Sequence, residues 1–373
     1  MNSSHSPSSP FVIESRFGCY SVEFLEFFSS PQNNHNAFDT ALLERIFATA
    51  THAIVDANVA HLYPPLVHPL SKRMPVHEFT ATESNKSWDG ASKILRFLAK
   101  SGAHRKSHVL VVGGGITQDT ASFACHIFHR GLEWSFLPTT LLAMADSCIG
   151  GKCAINIDSI KNLAGAFHPP QKVIIEPYFL STLQAHDVVS GYGELLKMHL
   201  LVGESAFIAY QESLQTRGFS VESHFILPLI QTALLKKKEI VESDELEAHT
   251  RKLLNYGHTF GHALETLTQF AVPHGLAVAW GIGLANFLAA KRGWTTNSWE
   301  EKIHEFIRSH FFIPKHVAMP QATALVEVAA KDKKLSANGV ELVVMNSPGL
   351  FLTRNLPLDK QTASDVQEFL EVP

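Results

Sequence analysis

The sequence predicts an α/β domain followed by a mainly helical domain. Strand and helix signals alternate through the first half of the chain, and from about Leu183 onward almost all signals are helical. Strands that alternate with helices pair in parallel, with helices covering both faces of the sheet. We therefore expect domains at residues 11–183 and 184–373. A Ser/Pro-rich segment at residues 1–10 precedes them, and we expect it to be disordered.

Short apolar runs rich in β-branched and aromatic residues predict the strands of the first domain. These runs are Phe11–Glu14, Tyr20–Phe28, Ala53–Asp56, Val76–Ala81, His108–Val112, Glu133–Leu137 and Val173–Ile175. Apolar residues at helical spacing predict the helices between them. These segments are Thr40–Ala50, Trp88–Lys100 and Asp119–His129.

The second domain has helical spacing almost throughout. The predicted helices are Asp187–Leu201, Phe225–Ser243, Tyr256–Gln269, Gly275–Lys291, Ser298–Ser309 and Ala322–Lys331. Pro228 falls in the first turn of the second of these, where a missing N–H does no harm. A late strand pair, Val340–Met345 and Leu350–Thr353, precedes a final helix near Ser364–Leu370.

Composition argues against several classes of protein. The chain has 373 residues, of which 45% are apolar and 18% charged, with a formal net charge of −4, so electrostatics give no case for nucleic-acid binding. No apolar run approaches the ~18 residues of a membrane span, and the N-terminus lacks the pattern of a signal peptide. Four scattered cysteines indicate a reducing compartment. We expect a cytoplasmic protein.

A glycine triplet follows one predicted strand. Val109–Val112 leads into Gly113-Gly114-Gly115, and a helix is predicted to start near Asp119. Glycines let backbone N–H groups approach a phosphate, and a helix N-terminus adds positive potential. The spacing is not Gly-x-Gly-x-x-Gly, so an ordinary tight turn between strand and helix remains the alternative.

Two further clusters carry polar chemistry. One runs from Pro138 through Asp146 and Lys152 to Lys161-Asn162, where hydroxyls, lysines and an amide suit phosphate or polyol oxygens, although a solvated loop is the alternative. In the other, Glu194 and Lys197 are spaced i, i+3 on a predicted helix, which by default indicates a surface ion pair.

Residues 251–274 hold the densest chemistry. On a helix, His258, His262 and Glu265 share one face, which suggests a metal beside an anionic substrate bound by Arg251. Since the chain holds 21 histidines, a surface or capped pair is the alternative. Two glycines, Gly257 and Gly261, cost a helix up to ~1 kcal/mol each. Nothing in the sequence requires that cost, which favours a functional site.

Six motifs in order resemble 3-dehydroquinate synthase and the wider sugar-phosphate cyclases. The similarity runs from about Asp56 to Lys334. The motifs are Gly113-Gly114-Gly115 with Asp119, Arg130-Gly131, Pro138-Thr139-Thr140-Leu141-Leu142-Ala143, Asp146-Ser147 with Gly150-Gly151-Lys152, Lys161-Asn162 with Gly165-Ala166-Phe167, and Arg251 to Glu265.

The resemblance implies an NAD-binding, Rossmann-like α/β domain and a helical metal-binding domain, with the site in the cleft between them and a homodimeric assembly. It assigns a divalent metal, typically zinc with cobalt as the alternative, to Glu194, His258 and His274. His262 would then face the substrate and its phosphate.

The resemblance also assigns contacts residue by residue. Those to NAD would come from Asp56, Glu83, Lys86, Gly114, Gly115, Asp119, Thr139, Thr140, Asp146, Lys161 and Thr182. Those to the substrate would come from Lys152, Asn162, Lys197, Lys237, Arg251, Asn255 and His262, with Lys333 or Lys334 as further candidates. Arg130 would reach the substrate phosphate, in some members from the neighbouring subunit.

The implied reaction cyclises a seven-carbon sugar-acid phosphate, 3-deoxy-arabino-heptulosonate 7-phosphate, to 3-dehydroquinate with release of phosphate and no net redox change. The chain departs from the usual pattern at Gln118, Ser122, Cys148, Cys153, Gly191–Gly193 and Leu276. These departures leave open a related cyclase for another sugar phosphate. An NAD polyol dehydrogenase and a non-catalytic sensor are two rival hypotheses.

Overall fold

The computed structural model describes residues 10–25, 40–158, 160–295, 297–331, 335–336 and 339–371. The chain divides into two compact units, Met1–Leu183 with Val221–Leu234, and Gln184–Ser220 with Leu235–Pro373. Residues 221–234 group with the first unit, whereas the sequence predicts one continuous domain at residues 184–373. Nearly all of the segment expected to be a disordered tail lies outside the described residues, as do residues 26–28 of the second predicted strand.

The first unit contains a seven-stranded sheet in the order β1-β2-β9-β6-β5-β3-β4. Only the β1–β2 pair is antiparallel, and the other pairs are parallel. Its strands are β1 Phe11–Ile13, β2 Tyr20–Phe24, β3 His52–Asp56, β4 Val76–Phe79, β5 His108–Gly113, β6 Glu133–Pro138 and β9 Lys172–Ile175. The parallel sheet predicted from the alternation is confirmed.

Helices connect these strands. They are α1 Thr40–Phe47, α2 Ala57–Leu62, α3 Pro64–Arg73, α4 Trp88–Lys100 and α5 Gly115–Ile127. The sequence pattern does not predict α2 and α3, because the prolines at positions 64, 65 and 69 argue against a helix. Pro64 and Pro65 open α3, where no N–H is needed. Helix α5 begins at Gly115, four residues before its predicted start.

The parallel strands place several predicted site residues at one edge of the sheet. Strand β5 is buried along its whole length and pairs with β3 and β6, so Asp56, Gly113 and Pro138 end neighbouring strands. Ligands of open α/β sheets bind at this carboxyl edge. The polar segment from Lys152 to Lys161-Asn162, for which a solvated loop was the alternative, lies in an antiparallel hairpin, β7 Lys152–Ile157 and β8 Ile160–Phe167.

The second unit is built mainly from helices. They are α6 Ala185–Val202, α7 Glu204–Arg217, the C-terminal part of α8 Ser223–Ser243, α9 His258–Leu267, α10 His274–Lys291, α11 Asn297–His310, α12 Ala322–Lys331 and α13 Lys360–Glu371. Strands β10 Leu335–Ser336, β11 Gly339–Ser347 and β12 Leu350–Leu356 form a small antiparallel sheet. The predicted late strand pair and final helix are confirmed. Among the described residues, no helix is long and apolar enough to cross a membrane.

Glycines let three helices of this unit pack backbone against backbone. A Cβ on Gly193 of α6 would lie 3.0 Å from the Gly275 Cα of α10, and one on Gly275 would lie 2.6 Å from the Ser190 carbonyl carbon. Gly257 has a φ of +79°, and a Cβ there would lie 2.5 Å from the Val278 carbonyl oxygen. The expectation that nothing structural requires the glycines of α9 is therefore wrong.

Candidate active site

A buried carboxylate and two imidazoles meet in the second unit. Glu194, on α6, is 1% exposed. Its Oε1 lies 3.2 Å from His274 Nε2 and 3.5 Å from His258 Nε2. The close approach of α6 to α10 at Gly193 and Gly275 explains this, because those glycines are the chain neighbours of Glu194 and His274. Within the described part of the chain, neither carboxylate oxygen of Glu194 has a hydrogen-bond partner of good geometry.

The second nitrogen of each imidazole is occupied. His258 Nδ1 lies 3.0 Å from the Tyr256 carbonyl oxygen, and His274 Nδ1 lies 2.9 Å from Glu265 Oε2. A carbonyl or carboxylate oxygen can only accept, so both Nδ1 atoms donate. The Nε2 atoms are thereby directed toward Glu194. Outer hydrogen bonds of this kind orient histidine ligands in metal sites.

The two imidazoles differ in their charge preference. Burial and the nearby Lys197 ammonium lower the pKa of His258 to about 3, so this ring stays neutral. Burial alone would lower the pKa of His274, but the carboxylates of Glu265 and Glu194 raise it to about 10. Burial opposes ionisation of Glu194, yet Lys197 and the two histidines hold its pKa well below the usual value.

Lys197 does not form the surface ion pair that spacing alone predicts. Its side chain is 2% exposed, and its Nζ lies 2.6 Å from Glu194 Oε2. Removing two charges from water is costly unless each is well paired, so a buried pair of this kind needs a specific partner or a function.

His262 lies beside this cluster, one turn after His258 on α9. Its ring centroid is 5.2 Å from that of His258 and 5.7 Å from that of His274. A ring nitrogen from each of the three histidines falls within 4.8 Å of the other two, which is a second potential metal set. We favour the set with Glu194, because it combines a buried carboxylate oxygen with the two Nε2 atoms that face it. The helical-face set with Glu265 is wrong in one respect, since Glu265 binds His274 Nδ1.

A loop before α9 positions further predicted substrate residues. Asp244 accepts hydrogen bonds from the backbone N–H groups of Ala248, His249 and Arg251, at 2.9, 2.7 and 2.9 Å. Although burial acts to raise it, these donors lower the pKa of Asp244. The buried Arg251 guanidinium donates to the Glu245 carbonyl oxygen.

Asn255 has a fixed amide orientation. Its Nδ2 donates to Glu247 Oε1 at 2.7 Å. Since a carboxylate only accepts, the Asn255 carbonyl oxygen points the other way, where it can accept from a ligand hydroxyl. Glu247 itself adopts a φ of 63°, an uncommon conformation for a residue other than glycine.

In the first unit the glycine triplet forms a cradle. A Cβ on Gly113 would lie 2.8 Å from Thr117 Cβ, and one on Gly114 would lie 2.8 Å from Thr140 Cγ2. Gly115 begins α5, so the free N–H groups of the helix start adjoin this loop. Backbone approach of this kind suits a phosphate. Asp56, on the adjacent strand end, accepts from Asn58 N at 2.9 Å and caps α2.

Residues after β6 are joined to this cradle. Thr139 N donates to the Gly113 carbonyl oxygen at 2.9 Å, and Thr140 Oγ1 accepts from Ala143 N at 3.2 Å. Asp146 follows in a π-helical turn, Ala143–Ser147. Turns of this type are frequent at functional sites.

Four predicted cofactor residues form a charged network around the hairpin. Lys86 Nζ lies 2.5 Å from Asp119 Oδ2, and Lys161 Nζ lies 3.7 Å from Glu83 Oε1. Asn156 of β7 donates to Glu83 Oε1 at 2.9 Å. Burial raises the pKa of Asp119, while Lys86 opposes that rise.

Comparison with known proteins shows the family. The family models named 3-dehydroquinate synthase N-terminal and 3-dehydroquinate synthase C-terminal match residues 76–190 and 191–335. The 3-dehydroquinate synthase of Legionella pneumophila strain Philadelphia 1 is 36% identical over 319 residues, covering 83% of this chain and 85% of that protein. The chain belongs to the 3-dehydroquinate synthase family.

Solved structures show that the fold is that of sugar-phosphate cyclases. A 2-deoxy-scyllo-inosose synthase complexed with carbaglucose-6-phosphate, NAD⁺ and Co²⁺ is 22% identical, with a TM-score of 0.81 over 96% of this chain and 100% of that chain. The 2-epi-5-epi-valiolone synthase of Streptomyces hygroscopicus subsp. jinggangensis 5008, with NAD⁺ and Zn²⁺ bound, is 24% identical, with a TM-score of 0.76 over 94% and 96%.

The remaining residues expected from the family motifs lie on several elements of the fold. Lys152 and Asn162 are exposed on β7 and β8, and the buried Lys237 lies on α8. Thr182 Oγ1 lies 2.8 Å from the Tyr63 hydroxyl. The exposed Arg130, with a φ of 69°, precedes β6 and so lies at the amino edge of the sheet, opposite the glycine cradle. Residues 333 and 334 lie outside the described residues.

Sequence reasoning missed several residues that support these groups. It identifies Glu265 only as a member of the helical face, and it gives Asp244, Glu247 and Gln118 no role. Their contacts depend on loops and on neighbouring elements, which spacing does not reveal. A residue such as Glu247, ten positions after Lys237 in an irregular segment, carries no local signal that distinguishes it from a solvated acid.

Proposed function

We propose that this protein is a 3-dehydroquinate synthase that converts 3-deoxy-arabino-heptulosonate 7-phosphate to 3-dehydroquinate and inorganic phosphate. The observation that carries the proposal is the buried Glu194 carboxylate, faced by two imidazole Nε2 atoms and paired with a buried lysine. Relatives named 3-dehydroquinate synthase align with this chain over most of their length, which supports the choice of substrate.

Glu194, His258 and His274 would hold a divalent metal, for which we favour zinc over cobalt. An orphaned buried carboxylate oxygen with two Nε2 atoms around it fits such an ion. Three protein ligands leave an open coordination position, as catalytic zinc sites require. When bound, the metal supplies Lewis acidity, which lowers the pKa of a substrate hydroxyl.

NAD would bind in the first unit. The glycine cradle fits the cofactor, because the glycines let the backbone turn tightly beside Thr117 and Thr140 into the start of α5, whose free N–H groups suit a pyrophosphate. The contacts would come from Asp56, Glu83, Lys86, Gly114, Gly115, Asp119, Thr139, Thr140, Asp146, Lys161 and Thr182. When bound, NAD accepts a hydride from the substrate and returns it, so no net oxidation occurs.

The chain's own polar residues would bind and orient the substrate. Arg251 offers a planar fork of donors for a carboxylate, and Lys197 and Lys237 offer compact charges for anionic oxygens. The outward carbonyl of Asn255 would accept from a ring hydroxyl. His262 would face the leaving phosphate, and Lys152 and Asn162 would be further substrate contacts. A substrate phosphate oxygen would remove the proton before elimination.

The proposal includes a cytoplasmic homodimer. The cysteines at positions 19, 125, 148 and 153 are all free, which suits a reducing compartment. Arg130 lies at the amino edge of the sheet. Strand β6 has six residues and is about 20 Å long, so Arg130 is separated from the glycine cradle by the length of the sheet, which supports a contact to the phosphate from a second subunit.

The decisive experiment follows phosphate release and NADH absorbance with purified protein, NAD, zinc and defined sugar phosphates. A 3-dehydroquinate synthase releases phosphate from the seven-carbon sugar acid phosphate without accumulating NADH. Phosphate release only from a neutral sugar phosphate would indicate a different cyclase. Accumulating NADH with a polyol would indicate a dehydrogenase, and neither signal with any compound would indicate a sensor.

A further inference from the structure

Gln118 is bound at both ends of its amide. It is the fourth residue of α5 and is 4% exposed. Its Nε2 donates to the Ser147 carbonyl oxygen at 2.7 Å, and its Oε1 accepts from Ser147 Oγ at 2.6 Å. Two reciprocal hydrogen bonds to one residue fix both the position and the orientation of the partner.

Ser147 lies over the glycine cradle. A Cβ on Gly115 would lie 3.7 Å from Ser147 Oγ, which is ordinary contact distance. The Ser147 hydroxyl donates its proton to Gln118, so toward a ligand its oxygen can only accept. A phosphate oxygen without a proton cannot donate a hydrogen bond to such an acceptor, whereas a ligand hydroxyl or amide N–H can.

The same contact holds a longer segment in place. Ser147 ends the π-helical turn that contains Asp146, and Thr139 at the other side of that segment is tied to Gly113. The segment from 139 to 147 is therefore fastened to the cradle at both ends, by a backbone hydrogen bond at one end and by the Gln118 amide at the other.

We propose that Gln118 is a positioning residue for the nucleotide cofactor. It holds Asp146 and Ser147 against the glycine cradle, and it determines that Ser147 accepts from the cofactor. The inference rests on the proposed binding of NAD to the first unit.

The test measures NAD affinity by titration calorimetry on wild-type protein, Gln118→Met and Gln118→Ala. Methionine keeps the side-chain volume and the helix propensity but removes both hydrogen bonds, so its Kd for NAD should rise about 3- to 10-fold. At saturating NAD, kcat and the KM for the sugar phosphate should stay at the wild-type values, which a general loss of structure would not allow.

Ser122→Ala provides the matched control. Ser122 Oγ donates to the Gln118 backbone carbonyl oxygen at 2.6 Å, so this change removes one bond from the same residue and leaves the amide pair intact. Its Kd for NAD should stay at the wild-type value within about twofold, well below the change expected for loss of the amide pair. Gln118→Met in a Ser147→Ala background should raise the Kd for NAD less than it does in wild-type protein, because the hydroxyl bond is already lost and only the bond to the Ser147 carbonyl oxygen remains to be broken.

Two results would overturn the inference. One is an unchanged Kd for NAD in both Gln118 variants. The other is a double variant whose fold-change in Kd equals the product of the fold-changes of the Gln118 and Ser147 single variants. If wild-type protein fails to bind NAD at all, the proposed function fails first, and that outcome is visible before any variant is compared.

Discussion

Replacing Gly275 by alanine tests whether one glycine contact assembles the metal cluster. A Cβ at this position would lie 2.6 Å from the Ser190 carbonyl carbon, and the carbonyl oxygen is nearer still. Ordinary contact begins at 3.4 Å, so α10 must move away from α6 by at least about 0.8 Å. Both partners are backbone, and neither can rotate aside.

That displacement acts on stability and on metal binding together. Overpacking of this kind lowers the free energy of unfolding by about 1–3 kcal/mol or more, and the higher helix propensity of alanine offsets at most about 1 kcal/mol of that loss. It also separates His274 Nε2 from Glu194 Oε1, which now lie 3.2 Å apart. We expect Gly275→Ala to lower the free energy of unfolding and to weaken zinc binding by at least about tenfold, since ligand geometry is disturbed.

Gly283→Ala is the matched control on the same helix. Its Cβ would meet Phe369 Cζ at 3.5 Å and nothing nearer, so alanine should leave zinc binding unchanged and stabilise the protein by up to about 1 kcal/mol. Urea unfolding of metal-free protein and competitive zinc titration measure the two effects separately. If Gly275→Ala unfolds and binds zinc like wild type, the account of how α6 and α10 assemble the cluster is wrong.

Four further predictions concern charge. Lys197→Ala should abolish phosphate release while NAD titration is unchanged, and His258→Ala should abolish phosphate release with loss of bound metal, measured by atomic absorption. Glu265→Gln removes the carboxylate that orients His274, so zinc affinity should fall about 10- to 100-fold in a competitive titration. Burial lowers the pKa of His199 from 6.5 to about 4. As the pH falls below 6.5, the unfolded chain therefore binds more protons at this residue than the folded protein does. The free energy of unfolding should fall by about 3 kcal/mol by pH 4. Between pH 7 and pH 4, urea unfolding should show a smaller loss of stability for His199→Phe than for wild-type protein. An equal loss in the two proteins would show that His199 is not the group responsible.

Much of the first unit could be predicted because its signals are local. Strand β5 is a continuous apolar run that ends in glycine, and a run of this kind is typical of a strand buried on both faces. The hairpin β7–β8 was missed because β7 is short and β8 mixes polar, small and apolar residues without a regular alternation, and β8 has no fully buried side chain. Its stability depends on packing against α5 rather than on its own pattern.

The second unit shows where periodicity stops being informative. Spacing placed His258 and His262 on one face of α9, but it could not show that Glu265 on the same helix binds the ring of His274. Likewise, Glu194 and Lys197 have the spacing of a surface pair, and only the burial of α6 makes that pair unusual.

The sequence signal that distinguishes this buried site from a surface pair lies in glycines next to ionisable residues on different helices. Each of the metal-ligand candidates Glu194 and His274 stands next to a glycine, and those two glycines are where the helices touch. A glycine in a helix interior destabilises it, so a sequence that keeps one beside an ionisable residue indicates a close backbone contact there. Had Gly193-Glu194 and His274-Gly275 been considered as one pair, the contact between α6 and α10 could have been predicted. The third candidate ligand then follows, because Gly257, next to His258, packs against the same helix α10.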